Sequence, residues 1–295
     1  MAITKEELKK KTKAARKASF VEFWRRLLKS TSSKIGFVLL VFIVLLCLIG
    51  PFLTPYSITQ IDATLMKAPP SLAHPLGCDP MGRDMLARIM VGGRYSLLLG
   101  FAGALFSSVL GIILGVTAGY FGGVTEDIIM RFMDIWSALP GMMLCILVSA
   151  AMGSGLFPTI LALAVGGIPG AVRMERGQVL GERTKEYIEA AESINCSKAT
   201  IMFKHLLPNT IQPMIVNMTM SIGGVIGMAA SLSYIGLGVQ PPTPEWGAML
   251  SEGKAYIQTA PTMLLVPGLA IALVIFAINL LGDGLRDALD PKMRN

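Results

Sequence analysis

The chain has 295 residues and a formal charge of +7, with 53% hydrophobic and only 15% charged residues and a mean hydropathy of +0.61. Charged surface is too scarce to solvate a globular domain of this size, so lipid must be part of the solvent. The positive charge does not point to nucleic acid, because eleven of the 26 Lys and Arg residues precede Ile35 and most others flank apolar runs, the distribution of a membrane topology.

Residues 1–34 form a basic N-terminal segment. Within it, Phe20, Phe23, Trp24, Leu27 and Leu28 recur at helical spacing opposite Arg25, Arg26 and Lys29, which predicts an interfacial amphipathic helix; Lys5 to Lys17 reads as a solvated tail. So long a basic stretch, with no small-residue cleavage site after the following apolar run, argues against a cleavable signal.

Crossing a hydrocarbon core of roughly 30 Å takes about 20 apolar residues, and six such spans are predicted. The first is Ile35 to Leu53, followed by an extracytoplasmic segment, 54–94. Spans two to six lie within 95–282. The second runs from about Tyr95 to Tyr120. Ile135 to Val172 is uncharged and too long for one helix, so Gly153-Ser154-Gly155 is read as the turn between spans three and four. The fifth covers about Gln212 to Gly236 and the sixth Thr262 to Gly282, before a tail, 283–295. Twenty-one Lys and Arg lie on the side of the termini and five on the other, which predicts a multi-pass protein with both termini cytoplasmic. Gly111, Gly115 and Gly119 in span two, and Gly223, Gly224 and Gly227 in span five, suit close helix contact, either within this chain or with a partner.

Cys47, Cys78, Cys145 and Cys196 show no CxxC or Cys/His metal spacing and read as buried or free thiols. His74 and His205 fall on opposite sides of the membrane and cannot share a site. Asp79, Arg83 and Asp84, without a nucleophile or metal set, read as a capped turn held by ion pairs. No Asp, Glu, Lys, Arg or His lies inside the six predicted cores, which disfavours a proton- or sodium-coupled transporter.

The cytoplasmic loop 173–211 carries the strongest functional pattern. Tyr187, Ile188, Ala191 and Ile194 make one apolar helical face, and Asn195 stands where a left-handed C-cap is tolerated. A second helix is expected from Ser197 until Pro208-Asn209 ends it. Two short helices with a sharp turn make a compact projection able to transmit force.

Glu189-Ala190-Ala191, then Asn195 and Leu207-Pro208, resembles the EAA loop of bacterial ABC importer permeases, with Asn195 in place of the usual glycine. Leu76-Gly77-Cys78-Asp79 with Gly82-Arg83-Asp84, Tyr120-Phe121-Gly122-Gly123, Asp134, Ser233-Tyr234-Ile235-Gly236-Leu237-Gly238, Pro244-Glu245-Trp246-Gly247, and Gly282-Asp283 through Leu285-Arg286-Asp287 to Asp290-Pro291 resemble the second permease of peptide, oligopeptide and nickel importers; Cys78 replaces a small hydroxyl residue. The resemblance implies an all-α polytopic membrane protein of the type I ABC importer permease architecture, with six transmembrane helices and a cytoplasmic coupling-helix loop. It implies a bacterial inner-membrane location, a heterodimer with a homologous second permease, two cytoplasmic ATPase subunits and an extracytoplasmic solute-binding protein. ATP and Mg would sit on the ATPase chains and no cofactor on this one, which has no GxxxxGK[ST] phosphate loop.

On this reading the chain is a non-catalytic pore subunit, with Tyr187, Glu189, Ala190, Ala191, Ile194, Asn195 and Pro208 as ATPase-coupling residues. Asn217, Ser221, Gly224, Met228 and Ser231, on one side of span five, are read either as a weakly polar translocation path or as helix-packing groups. Asp79, Arg83, Asp84, Glu245 and Trp246 are candidates for contact with the binding protein or for an outer gate. A peptide is the preferred cargo, with nickel or a chelated metal as the alternative and a non-transporting scaffold as a further one.

Overall fold

The computed structural model describes residues 21–289. The solvated tail Lys5 to Lys17, Phe20 of the amphipathic helix and the Asp290-Pro291 motif lie outside the described residues. Val21 to Leu27 is helical, with Leu27 buried and the Trp24 ring edge-on to Phe37 at 5.3 Å.

The described residues form helices, with a long, largely irregular stretch over 54–84 and shorter connections elsewhere, and no strand beyond an isolated bridge between Cys78 and Asp84. In chain order they are α1 (Thr31–Leu53), α2 (Met85–Phe121), α3 (Gly123–Trp136), α4 (Gly141–Met152), α5 (Leu156–Arg183), α6 (Glu186–Ser193), α7 (Leu207–Tyr234), α8 (Trp246–Gly253) and α9 (Thr262–Leu289). Helices α1, α2, α5, α7 and α9 are each long and apolar enough to span a membrane. The end of the bundle bearing α6 is called the loop end here, and the end bearing α8 the cap end.

The third span differs from the sequence expectation. Helix α4 has 12 residues and is only about 18 Å long at 1.5 Å per residue, too short to cross alone. It is preceded by α3 across a bend of 80°, and only as such a bent pair do the two have the length and hydropathy of a sixth span. The break sits at Pro140, which disfavours helical backbone at the residue before it. Helix α3 keeps Val124, Ile128, Phe132 and Ile135 exposed along one side. Its acidic residues reach α5 instead, Glu126 pairing with Arg176 and Asp134 with Arg173 at 2.9 Å.

Other boundaries also move. Helix α2 begins ten residues before Tyr95, so its 37 residues run for about 56 Å, well beyond a hydrocarbon core. Helix α5 continues past Val172 to Arg183, so the connecting loop is shorter than 173–211 and Glu175 lies within the helix, fully buried. Pro208 does not end a second loop helix: a short helical turn at Lys198–Thr200 and a π-helical stretch at Ile201–Leu206 lead without interruption into α7. The π turn, closed by the Leu207 N–H on the Met202 carbonyl, widens the backbone just ahead of a residue that has no N–H to give.

The largest helix contact joins α2 to α5. A Cβ built on Gly111 would fall 2.3 Å from Ala171 Cβ, one on Gly115 2.7 Å from Glu175 Cβ, and one on Gly119 2.8 Å from Val179 Cβ. Residues 111, 115 and 119 thus mesh with 171, 175 and 179 at the same i+4 spacing, and the glycine repeat of span two packs within this chain.

Near the cap end, Pro51 leaves the Cys47 carbonyl without its helical donor. Arg94 replaces it, its Nε donating to Cys47 O and its Nη2 to Leu48 O, both at 2.8 Å. A cation inside α2 is accommodated by making it the hydrogen-bond donor that α1 lacks.

Gly115→Leu is expected to destabilise the protein by at least ~1–3 kcal/mol, the usual range for overpacking, and more if α2 and α5 separate. Thermal unfolding of the detergent-solubilised protein, read against a Val124→Leu control on an exposed face, measures the difference.

Candidate functional site

Helix α6 has two unlike faces. Ile188 is 1% and Ala191 5% exposed, buried in a cluster with Val116, Val179, Ile201, Met202 and Leu206. Glu186, Glu189, Ala190, Ser193 and Asn195 are exposed, and Ile194 is 76% exposed. The inward face anchors the helix to α2, α5 and the π turn; the outward face presents carboxylates around a methyl group and an isoleucine. Ala191 therefore belongs to the anchor, and Ala190 to the surface.

The turn after α6 requires positive φ, and Asn195 supplies it at 56°. Its N–H donates to the Glu192 carbonyl at 2.9 Å and the Cys196 N–H to the Ala191 carbonyl at 3.1 Å, the paired bonds of a Schellman cap. Asparagine tolerates this region better than other non-glycine residues. Ser197 then accepts from the Thr200 N–H at 3.3 Å and starts the next turn.

Tyr187, half-buried, ties this loop to the two long helices it connects. Its hydroxyl donates to Glu182 Oε2 of α5 at 2.7 Å and accepts from Asn209 Nδ2 of α7 at 3.3 Å. Asn209 also donates to the His205 carbonyl at 2.7 Å, and Lys185 pairs with Glu182. Burial, then the hydrogen bond to Glu182 and its charge, pushes the Tyr187 phenol up to about 12. Pro208 is exposed in the first turn of α7, beside this clasp.

At the cap end the five candidate residues are all buried, from 1% exposure for Asp79, Glu245 and Trp246 to 4% for Arg83 and Asp84. Asp79 Oδ1 accepts from the N–H groups of Met81 and Arg83 at 2.8 and 2.9 Å, while Oδ2 meets Arg83 Nε at 2.5 Å and Arg88 Nη1 at 3.1 Å. Arg88 Nη2 donates to Glu252 Oε2 at 2.7 Å, and Arg83 Nη2 lies 3.4 Å from Glu252 Oε1, which binds the turn to α8. Asp84 caps α2 through the Ala87 N–H at 2.7 Å and holds His74 Nδ1 at 2.8 Å.

Glu245 caps α8 through the Ala248 N–H at 3.0 Å and accepts from Ser96 Oγ at 2.8 Å; Trp246 Nε1 donates to the Ile89 carbonyl at 2.9 Å. These groups build a rigid cap. Their side chains are engaged with one another and with the backbone of α2 and α8. The Cys78 thiol beneath it is pushed up by burial and by the charges of Asp84, Asp79 and Asp62, and is chemically quiet.

Along α7, Ser221 Oγ donates to the Met218 carbonyl at 2.7 Å and Ser231 Oγ to the Gly227 carbonyl at 2.9 Å, so both hydroxyls are engaged within their own helix. Met228 Sδ lies 3.4 Å from Cys145 Sγ. Gly224 is exposed, with nothing within 4 Å of a Cβ built on it. The Asn217 amide makes no hydrogen bond among the described residues and borders a cavity at the loop end.

A family model described as binding-protein-dependent transport system inner membrane component matches residues 111–295, and one described as the N-terminal TM domain of oligopeptide transport permease C matches residues 19–70. The chain belongs to this permease family. It is 42% identical over 275 residues to a glutathione transport system permease protein of Pectobacterium atrosepticum, covering 93% of this chain and 91% of that one. It is 40% identical over 280 residues to a di/tripeptide transport system permease protein of Pseudomonas aeruginosa (93% and 92% covered), and 38% identical over 286 residues to a dipeptide transport system permease protein of Haemophilus influenzae (95% and 97%). In fold it is similar to a chain of the methionine ABC transporter MetNI in an inward-facing conformation, with a TM-score of 0.57, 20% identity, and 70% of this chain and 98% of that chain covered.

The permease's Glu182, Asn209, Arg88 and Glu252 escape a reading by motif. Glu182 and Asn209 meet only because Tyr187 lies between them, and Glu252 is 169 positions from Arg83. Glu175 lies in α5 rather than in a loop, where its buried carboxylate accepts from Thr210 Oγ1 at 2.6 Å.

Tyr187→Phe removes the clasp hydroxyl and is expected to lower stability by ~1 kcal/mol, measured by thermal unfolding. Because the folded phenol is raised above its ordinary value of 10, its stabilising contribution is fully present below about pH 10 and lost as pH rises toward about 12; the Phe variant should lack that part of the alkaline loss. Asn195→Gly should fold as the parent does, whereas Asn195→Val should lose ~1–2 kcal/mol from strain at positive φ.

Proposed function

We propose that this permease is one pore-forming half of an ATP-driven importer for short peptides, of the dipeptide or oligopeptide class. It sits in a bacterial inner membrane with both termini cytoplasmic, so the loop end faces the cytoplasm and the cap end faces outward. The observation that carries the reading is the two-faced helix α6: one side is locked into α2, α5 and the π turn, and the other is left open to a second protein.

Glu189, Ala190, Ile194 and Asn195 are the residues that enter a groove of a cytoplasmic ATPase subunit. Ala191 and Ile188 hold the helix from behind, and Tyr187, with Pro208 beside it, passes the motion to α5 and α7. Two ATPase subunits bind ATP and Mg and hydrolyse the nucleotide; this chain performs no chemistry. Closure of the ATPase pair displaces α6, and because the Tyr187 hydroxyl joins Glu182 to Asn209, both long helices move with it.

A homologous second permease completes the pore. Gly170, Gly177 and Gly181 of α5 and Gly224 of α7 meet nothing within 4 Å of a built Cβ, leaving room for a closely approaching helix of that partner. An extracytoplasmic solute-binding protein delivers cargo to the cap end, contacting exposed side chains such as Met81 and Leu72 rather than the buried Asp79 cluster. Peptide is favoured over nickel or a chelated metal because the relatives named above are glutathione, dipeptide and di/tripeptide permeases.

Ala190→Phe places a ring on the open face without touching the anchor. In the assembled complex it is expected to lower substrate-stimulated ATP turnover by about tenfold or more, the equivalent of ~1.4 kcal/mol of docking, while membrane insertion stays normal. Undiminished turnover would remove α6 from the ATPase contact.

A further inference from the structure

At the loop end, α5, α7 and α9 line an open cavity of about 510 Å³, a volume in the range of small-molecule sites. Its polar lining comes from Gln178 and Glu182 of α5, Asn209, Gln212 and Asn217 of α7, and Arg286 of α9. These groups divide into two sets. Glu182 and Asn209 are committed to the Tyr187 clasp. The amides of Gln178, Gln212 and Asn217 and the guanidinium of Arg286 make no hydrogen bond or ion pair among the described residues.

Three amides and one unpaired cation therefore converge on a single space. A planar guanidinium matches a carboxylate with two parallel donors, and side-chain amides offer both donors and acceptors, as a peptide backbone requires. The remaining wall is apolar, with Met174, Val216 and Met220 available to side chains of varied shape.

We propose that this cavity is an exit-side binding site for short peptides with a free C-terminal carboxylate. Arg286 holds the carboxylate, and Asn217, Gln212 and Gln178 bond the peptide groups. The inference rests on the reading of this chain as a peptide permease. Glu182 and Asn209 form both the cavity wall and the clasp on Tyr187, so an occupied site lies one residue from the coupling helix. Asn217 is thereby assigned to a ligand site, while Ser221 and Ser231 are not.

The test uses the complete transporter in proteoliposomes with the loop end accessible, carrying Val216→Cys as a reporter. Maleimide modification of that cysteine is measured site by site by mass spectrometry, with trialanine or its C-terminal amide present at millimolar concentration. Trialanine is expected to slow modification several-fold and the amide is not, and adding Arg286→Ala should weaken the protection by about tenfold. Protection by neither peptide, equal protection by both, or protection unaffected by Arg286→Ala overturns the site. ATP-dependent trialanine uptake, with the purified binding protein supplied, is recorded on the same preparation. Uptake without protection defeats the exit site alone, whereas absence of uptake for every peptide tried defeats the peptide-importer reading and the site with it.

Discussion

The close approach of α2 and α5 is the constraint on which the loop end depends. Glycines at 111, 115 and 119 let the backbones meet along three successive turns, with Ala171, Glu175 and Val179 filling the space that Cβ atoms would otherwise take. In lipid the hydrophobic effect does little to hold one apolar helix against another, so intimate contact and internal polar bonds must supply the specificity. The cluster that receives Ile188 and Ala191 takes Val116 from α2 and Val179 from α5, and so exists only because these two helices are fixed to one another.

On that platform the α6 region combines rigidity with an open surface. A helix of eight residues is marginal by itself; burial of its inner face, the Asn195 cap and the Tyr187 hydroxyl compensate. The chain reaches its next long helix through a π turn rather than a loop, so no slack separates α6 from α7. The cap end follows the same logic with charges. Buried Asp79 pairs with buried Arg83 and Arg88, and both arginines reach the half-buried Glu252, across α2, the preceding turn and α8; charges taken out of water are tolerated only beside such partners.

Much of this was legible beforehand. Long uncharged runs located the apolar helices because hydrocarbon admits little else, and the short helix carrying Glu189-Ala190-Ala191 with its turn at Asn195 could be read because helical periodicity and a positive-φ turn are local properties. The bend between α3 and α4 was not visible in the same way: Pro140 marks a break, but hydropathy averages over it, and the ion pairs of α3 with Arg173 and Arg176 join residues far apart in the chain. Pro208 reads as a stop by the local rule for proline in a helix, while the π turn that accommodates it goes with the packing of Ile201, Met202 and Leu206.

Composition, hydropathy and motif spacing thus determined that this is a multi-pass helical protein with the sequence pattern of a transport permease, and where its long apolar runs lie. Only the tertiary structure decided which side of each element is free. It turned Ala191 inward and Ala190 outward, sealed Glu245 and Trp246 into the cap, brought Glu182 and Asn209 to one hydroxyl, and left Arg286 facing Asn217 across a cavity. The physical reason is that burial and hydrogen-bond partnership are pairwise properties of residues distant in the chain, whereas span length, charge bias and capping are written into consecutive ones.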